Sequence, residues 1–74
     1  MIQCIVKNGL VLASELLPGE TLNLEFIERY MNQGSENYMV LVKDEEQLRK
    51  IFPNHKPLQK GVGDNGEIKL VLQE

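Results

Sequence analysis

Cysteine is almost absent from this 74-residue chain, and its scarcity limits the class of protein to which the chain can belong. Cys4 is the only cysteine, so no disulfide can form within the chain, which excludes the disulfide scaffolds of small secreted domains. No apolar run approaches the roughly 18 residues that span a bilayer. The amino terminus also lacks a cationic region followed by a long apolar stretch. We therefore expect a cytoplasmic protein without a membrane segment.

Side chains that carry chemistry are equally scarce. The chain has one histidine, two tyrosines and two phenylalanines, and no nucleophile, base and orienting group stand at a spacing that suggests catalysis. His55, Cys4 and Asp64 are too scattered along the chain to predict a metal site. Cys4 lies in a predicted strand, where a free cysteine usually behaves as a small buried hydrophobe. We predict a protein that is not an enzyme and has no cofactor or metal.

The length predicts one domain over residues 1–74, with a thin core, because a chain this short hides only about 60% of the surface that its unfolded state exposes. Hydrophobic residues make up 42% and charged residues 26% of the sequence, which is ordinary for a globular protein and unlike a disordered one. Small domains often gain stability by oligomerising. A homodimer is therefore one expected state.

The first clear element is a β-hairpin. Asn8-Gly9 suits a type I′ turn and separates two β-prone segments, residues 2–7 and 10–14. A two-residue loop pairs Lys7 with Leu10 and continues to Cys4 with Ala13. Apolar side chains then occupy both faces, so this hairpin needs cover on both sides or a place near the middle of a sheet. One predicted face has Ile2, Cys4, Val6, Val11 and Ala13, and the other has Ile5, Leu10 and Leu12.

Residues 21–26 fit both a strand-like alternation and a helical repeat. We favour a helix over about residues 23–33, with Asn23 as its N-cap. Its apolar side spreads over about 160°, wider than the ~100° stripe of a surface helix. This excess predicts that the helix contacts a partner chain as well as the sheet. The candidate partner-binding residues are Phe26, Ile27, Tyr30 and Met31.

The second half of the chain continues the alternation of strands and helices. Residues 38–42 form a continuous apolar run, typical of a strand buried on both faces, and predict the central strand. Asp44 then begins a second helix, with Gln47 in the capping-box position, and Pro53 ends it. Residues 68–73 alternate as a strand covered on one face. The predicted fold is α+β, in the order β-β-α-β-α-β, with a four-stranded, mostly antiparallel sheet and two helices on one face.

Positive charge is concentrated in one segment of an otherwise acidic chain. Residues 47–63 contain no acidic residue and four of the eight basic ones, although the net charge is −3. We expect an anionic partner to bind where the local field is opposite in sign to that of the whole molecule. The basic loop 49–60 is therefore either a solvated loop or, as the alternative, the site of an anion or nucleic-acid contact. Its candidate residues are Arg49, Lys50, His55, Lys56 and Lys60.

One further motif carries less information. Residues 61–66 match G-x-G-x-x-G, but they follow a proline-containing loop and precede a strand, so the helix end that binds a dinucleotide is missing. We interpret them as a glycine-rich turn, in which Asn65-Gly66 would close a hairpin between residues 58–62 and 67–73. The leading functional hypothesis is a small non-enzymatic protein-interaction module that binds itself or another protein through the first helix or a sheet edge.

Overall fold

The computed structural model describes residues 1–31, 36–60 and 70–74, and these form two helices and a five-stranded antiparallel sheet. The predicted α+β class is confirmed, but the count of four strands and the order β-β-α-β-α-β are wrong, because part of the expected basic loop is itself a strand and the order is β-β-α-β-α-β-β. Along the sheet the strand order is β3-β1-β2-β5-β4. The elements are β1 (Ile2–Lys7), β2 (Leu10–Glu15), α1 (Leu24–Tyr30), β3 (Tyr38–Val42), α2 (Glu45–Ile51), β4 (Lys56–Lys60) and β5 (Leu70–Gln73).

The β1–β2 hairpin forms as the sequence predicts. Lys7 pairs with Leu10 and Cys4 with Ala13, and the turn residues Asn8 and Gly9 have φ values of 49° and 78°. Asparagine tolerates this left-handed conformation better than most residues, and glycine adopts it freely. Both strands lie inside the sheet, since β3 pairs with β1 and β5 pairs with β2. The central position of the hairpin agrees with its two apolar faces.

The helices cover opposite faces of the sheet, so the prediction that both lie on one face is wrong. Helix α2 contributes Leu48 and Phe52 to the larger core cluster, while α1 contributes Phe26 to the smaller one. Alternate residues of a strand point to opposite faces, and in this hairpin both sets are apolar, which requires two layers of cover. The strand residues of the larger cluster are Cys4, Val6, Val11, Ala13, Val42, Leu70 and Leu72, and those of the smaller one are Ile5 and Leu12.

Helix α1 is fastened along β1 at both ends. The Asn23 side chain caps the helix by accepting from Phe26 N at 3.2 Å, and the Asn23 backbone is held by the buried Gln3 side chain. At the other end, Lys7 Nζ donates to Tyr30 O at 2.9 Å. The predicted helix and its cap are confirmed. The helix ends at Tyr30 rather than at residue 33, and residues 32–33 lie outside the described part of the chain.

Helix α2 begins at the residue that the sequence indicates. Asp44 Oδ1 accepts from Gln47 N at 2.8 Å, as an N-cap should. Gln47 Oε1 in turn accepts from Lys43 N at 2.6 Å, one residue before the position used in a standard capping box. The helix ends at Ile51, just before Pro53. The start and the end of α2 are thus set by local signals that are readable in the sequence.

The strand predicted to be central lies at an edge. β3 pairs only with β1 among the strands that the structure describes, and β4 forms the opposite edge through its pairing with β5. The predicted final strand appears as β5, beginning at Leu70, while residues 68–69 are not described. The glycine-rich motif at residues 61–66, including its proposed turn, also lies outside the described residues.

Candidate interaction site

The outer edge of β3 has main-chain groups that the sheet does not use. A two-residue turn closes on a hydrogen-bonded pair, here Lys7 and Leu10. Bonded and non-bonded pairs alternate in antiparallel ladders, so the residues of β1 that direct their backbone groups toward β3 are Ile2, Cys4 and Val6.

The same alternation fixes the direction of each backbone group in β3. Tyr38, Val40 and Val42 lie opposite Val6, Cys4 and Ile2 and therefore bond to β1. Met39 and Leu41 must direct their N–H and C=O groups the other way, where no described strand pairs with them. An edge of this kind is a template for another strand.

The side chains of β3 give that edge an apolar character. Tyr38 is 53% and Leu41 42% exposed, while Met39 and Val40 are half-buried and Val42 is buried. The strand contains no charged residue and no proline. Its five pairs with β1 follow one another without a register shift. Within the described residues, β3 therefore lacks the charged side chains, the proline and the bulge that commonly protect sheet edges.

The opposite edge differs in each of these respects. β4 begins and ends with lysine, at Lys56 and Lys60, and has Pro57 in its second position. Its register with β5 shifts between Pro57 and Gln59. Edge lysines, prolines and bulges all discourage the approach of a further strand. The two edges of the sheet are thus chemically unlike.

The predicted partner-binding side of α1 is only partly at the surface. Phe26 is fully buried against Ile5 and Leu12, and its ring lies 5.2 Å from that of Tyr30. Ile27, Tyr30 and Met31 are half-buried. The most exposed apolar residue of the helix is Leu24, at 66%, which the sequence reading did not single out for contact. Most of the wide apolar side of α1 is therefore covered by the sheet of the same chain.

The candidate anion-binding residues lie on three successive pieces of chain. Arg49 and Lys50 belong to the last turn of α2, where Lys50 Nζ lies 3.7 Å from Glu46. The half-buried His55 ring packs edge-on against Phe52 at 5.0 Å, and the buried His55 Nδ1 has no hydrogen-bond partner among the described residues. Lys56 and Lys60 belong to β4. The expected basic loop 49–60 is thus a helix end, a short connection and an edge strand.

No catalytic arrangement emerges from the described residues. An open groove of about 440 Å³ is lined by Met1 and residues 15–20 and has only carboxylates as titratable side chains. Burial raises the pKa of Cys4 to about 12, which keeps that thiol protonated and unreactive near neutral pH. Within residues 1–31, 36–60 and 70–74 there is no cluster of three or more His, Cys, Asp or Glu side chains that could hold a metal ion. Neither helix in these ranges is long and apolar enough to cross a membrane.

Comparison of the chain with known proteins provides no further evidence on its function. No protein-family model, curated protein or solved structure matches the chain. Inference about function therefore depends on the geometry of the sheet edges and of the side chains around them.

Proposed function

We propose that this protein is a small, non-enzymatic interaction module that binds a protein partner by strand addition at the β3 edge. The observation that carries the proposal is the outward direction of the Met39 and Leu41 backbone groups in an uncharged, regularly paired edge strand. In strand addition, main-chain hydrogen bonds supply affinity and alternate side chains supply specificity.

The contrast between the two edges supports the choice of β3. A sheet edge that is meant to stay unpaired commonly has lysine, proline or a bulge, and β4 has all three. β3 has none of them within its five residues. The same chain thus protects one edge and leaves the other able to pair.

The short chain gives a second reason to expect a partner. Tyr38 and Leu41 remain substantially exposed at the β3 edge, and contact with another chain would remove this apolar surface from water. Helix α1 would have a smaller role than its sequence suggests, since Phe26 is already buried and Leu24 is the one apolar side chain of α1 that is largely exposed.

An anion or nucleic-acid contact through Arg49, Lys50, His55, Lys56 and Lys60 is the alternative proposal. Its support is weaker, because Lys50 lies beside Glu46 and Lys56 belongs to the edge strand β4, where a lysine also discourages the approach of a further strand. The net charge of −3 further opposes approach to a polyanion.

The test compares one leucine on each sheet edge. Leu41→Lys places a charge on the β3 edge, and Leu58→Lys places the same charge on the β4 edge, where Leu58 is 60% exposed. Amide hydrogen exchange of Met39 and Leu41 is followed by NMR on labelled protein. It is measured on the purified protein at rising concentration, and again in an extract of cells that naturally express it.

Strand addition predicts that these two amides become protected in at least one of the two conditions. Leu41→Lys should abolish that protection, because a charge at the pairing edge disfavours strand addition, whereas Leu58→Lys should preserve it. Exchange of both amides at the rate of solvent-exposed groups in the purified protein and in the extract alike would refute the proposed function.

A further inference from the structure

We infer that the strand added at the β3 edge comes from a second copy of this protein, paired antiparallel about a two-fold axis at Val40. The inference rests on the proposed function, because it names the partner of the same edge. Met39 of each chain would then form a hydrogen-bonded pair with the partner's Leu41. Val40 would face the partner's Val40 across the axis.

Hydrogen-bond geometry limits the symmetric registers. Only residues with outward backbone groups can form the bonded pairs of a new antiparallel ladder, and in β3 these are Met39 and Leu41. A two-fold axis can therefore lie at residue 39, 40 or 41. An axis at Val40 pairs these two residues with each other and gives four main-chain hydrogen bonds without any group from outside the strand.

The other two registers need backbone groups that are less suitable. An axis at Leu41 would pair Met39 with the partner's Lys43, but Lys43 N already donates to Gln47 Oε1 at 2.6 Å. An axis at Met39 would pair Leu41 with the partner's Asn37, which precedes the strand rather than belonging to it. The backbone thus favours the axis at Val40.

Side-chain chemistry leads to the same register. With the axis at Val40, the cross-strand neighbours are Met39 with the partner's Leu41, Val40 with its own copy, and Tyr38 with the partner's Val42. Each pair is apolar, and pairs of aromatic and β-branched residues are among those that stabilise sheets. A shift of the axis by one residue would place an apolar side chain opposite Lys43 or Asn37.

Charge also favours an antiparallel second copy at this place. Each chain has a net charge of −3, so two copies approach most easily through a surface without acidic groups. β3 is such a surface, with the exposed Glu36 before it and the exposed Lys43 after it. Antiparallel pairing keeps the two Glu36 residues at opposite ends of the new ladder, whereas parallel pairing would bring them together.

The size of the contact sets the expected affinity. Two five-residue strands bury less than the ~800 Å² per partner of a standard stable interface. We therefore expect a reversible dimer with a Kd on the order of micromolar. The dimer would have one continuous sheet, and the two-fold axis would stand perpendicular to it, so equivalent helices of the two chains would lie on the same face.

Disulfide trapping in the full chain tests the register. Cys4 faces Val40 across the β1–β3 pair, so each variant is made in a Cys4→Ala background to prevent a bond within one chain. Val40→Cys would meet its own copy at about 4.5 Å between Cα atoms, within disulfide range. Met39→Cys or Leu41→Cys would stand about 8 Å from its copy, beyond that range.

The expected result is that Val40→Cys forms a reducible dimer at least 10-fold faster than either neighbouring variant, after correction for the reactivity of each thiol toward a small disulfide reagent. Leu58→Cys, on the opposite edge, measures the rate of random collision. The double variant Met39→Cys with Leu41→Cys should also cross-link, because these residues face each other across the axis. It provides an independent measurement if Val40→Cys fails to fold.

Two results would overturn the inference in different ways. Faster trapping at Met39→Cys or Leu41→Cys alone would show another register. Failure of Val40→Cys and of the double variant to cross-link above the Leu58→Cys rate, with a monomer in sedimentation at several hundred micromolar, would exclude a second copy. If the β3 amides were still protected in cell extract, the proposed function would stand with another protein as the partner. If they were not, both would fail.

Discussion

Replacement of Gln3 by methionine should destabilise the protein more than loss of the α1 cap itself. Gln3 is fully buried in β1, where its Oε1 accepts from Asn23 N at 2.6 Å and its Nε2 donates to Asn23 O at 3.3 Å. Methionine has a similar length and volume, so packing is largely kept, while both hydrogen bonds to Asn23 and the weaker one from Gln3 Nε2 to Met39 Sδ at 3.2 Å are lost. The change therefore measures the polar link between the sheet and the start of α1.

The expected loss of stability in Gln3→Met follows from the backbone group that is left without a hydrogen-bond partner. Asn23 O would still accept from Ile27 N, but Asn23 N would lose its partner at a residue that is only 6% exposed. A buried donor without a partner costs about 1–3 kcal/mol, so we expect a loss of about 2 kcal/mol. Asn23→Ala removes the cap bond to Phe26 N but keeps the backbone bonds to Gln3, and a lost cap typically costs about 1 kcal/mol.

Urea unfolding followed by far-UV circular dichroism measures both variants at low protein concentration, where association contributes little to stability. A loss of about 2 kcal/mol should lower the melting temperature by roughly 8–16 °C in a domain of this size. The reasoning would be refuted if Gln3→Met lay within about 0.5 kcal/mol of the parent protein. It would also be refuted if Asn23→Ala were the more damaging change.

Two further predictions concern titration and charge. Burial raises the pKa of Cys4 from 9.0 to about 12, so between these two values the folded state keeps a proton that the unfolded chain loses. The free energy of unfolding should therefore fall as the pH rises from about 9 toward 12, by at most about 1.4 kcal/mol per pH unit. Cys4→Ala should flatten this slope in urea titrations between about pH 8 and 10.5, and an equal slope in both proteins would contradict the assignment. For the basic residues, we expect no binding of single- or double-stranded nucleic acid at low salt. Binding that weakens steeply with salt, and that the double variant Lys56→Ala with Lys60→Ala loses, would instead support the anion alternative.

Local signals in the sequence predict the parts of the fold that depend on near neighbours. The Asn8-Gly9 turn fixes the β1–β2 register because it specifies the backbone conformation of two adjacent residues. Asn23 and Asp44 mark the helix starts because their side chains reach an amide only three residues away. These interactions require no knowledge of the rest of the chain, so a single sequence is enough to find them.

Features that depend on distant residues escape the same reasoning. Gln3 is a polar residue in a strand, and nothing near it in sequence indicates that Asn23, twenty residues later, supplies its partners. The side of the sheet that each helix covers depends on how the chain crosses from strand to strand. Phe26 was therefore expected at a partner surface, whereas the structure buries it against Ile5 and Leu12 on the face opposite α2.

The sequence predicts β3 at the centre of the sheet, and this error has a more general physical reason. Hydrophobic periodicity reports the cover on the two faces of a strand, because side chains alternate between those faces. In β3, Val40 and Val42 contact the larger core cluster, and Met39 lies within 3.2 Å of the Gln3 side chain on the other face, so a continuous apolar run is what the cover requires. Backbone N–H and C=O groups lie in the plane of the sheet and are the same for every residue except proline. The apolar run of β3 is thus compatible with either position, and the informative signal is the lysine and proline of β4, which the other edge lacks.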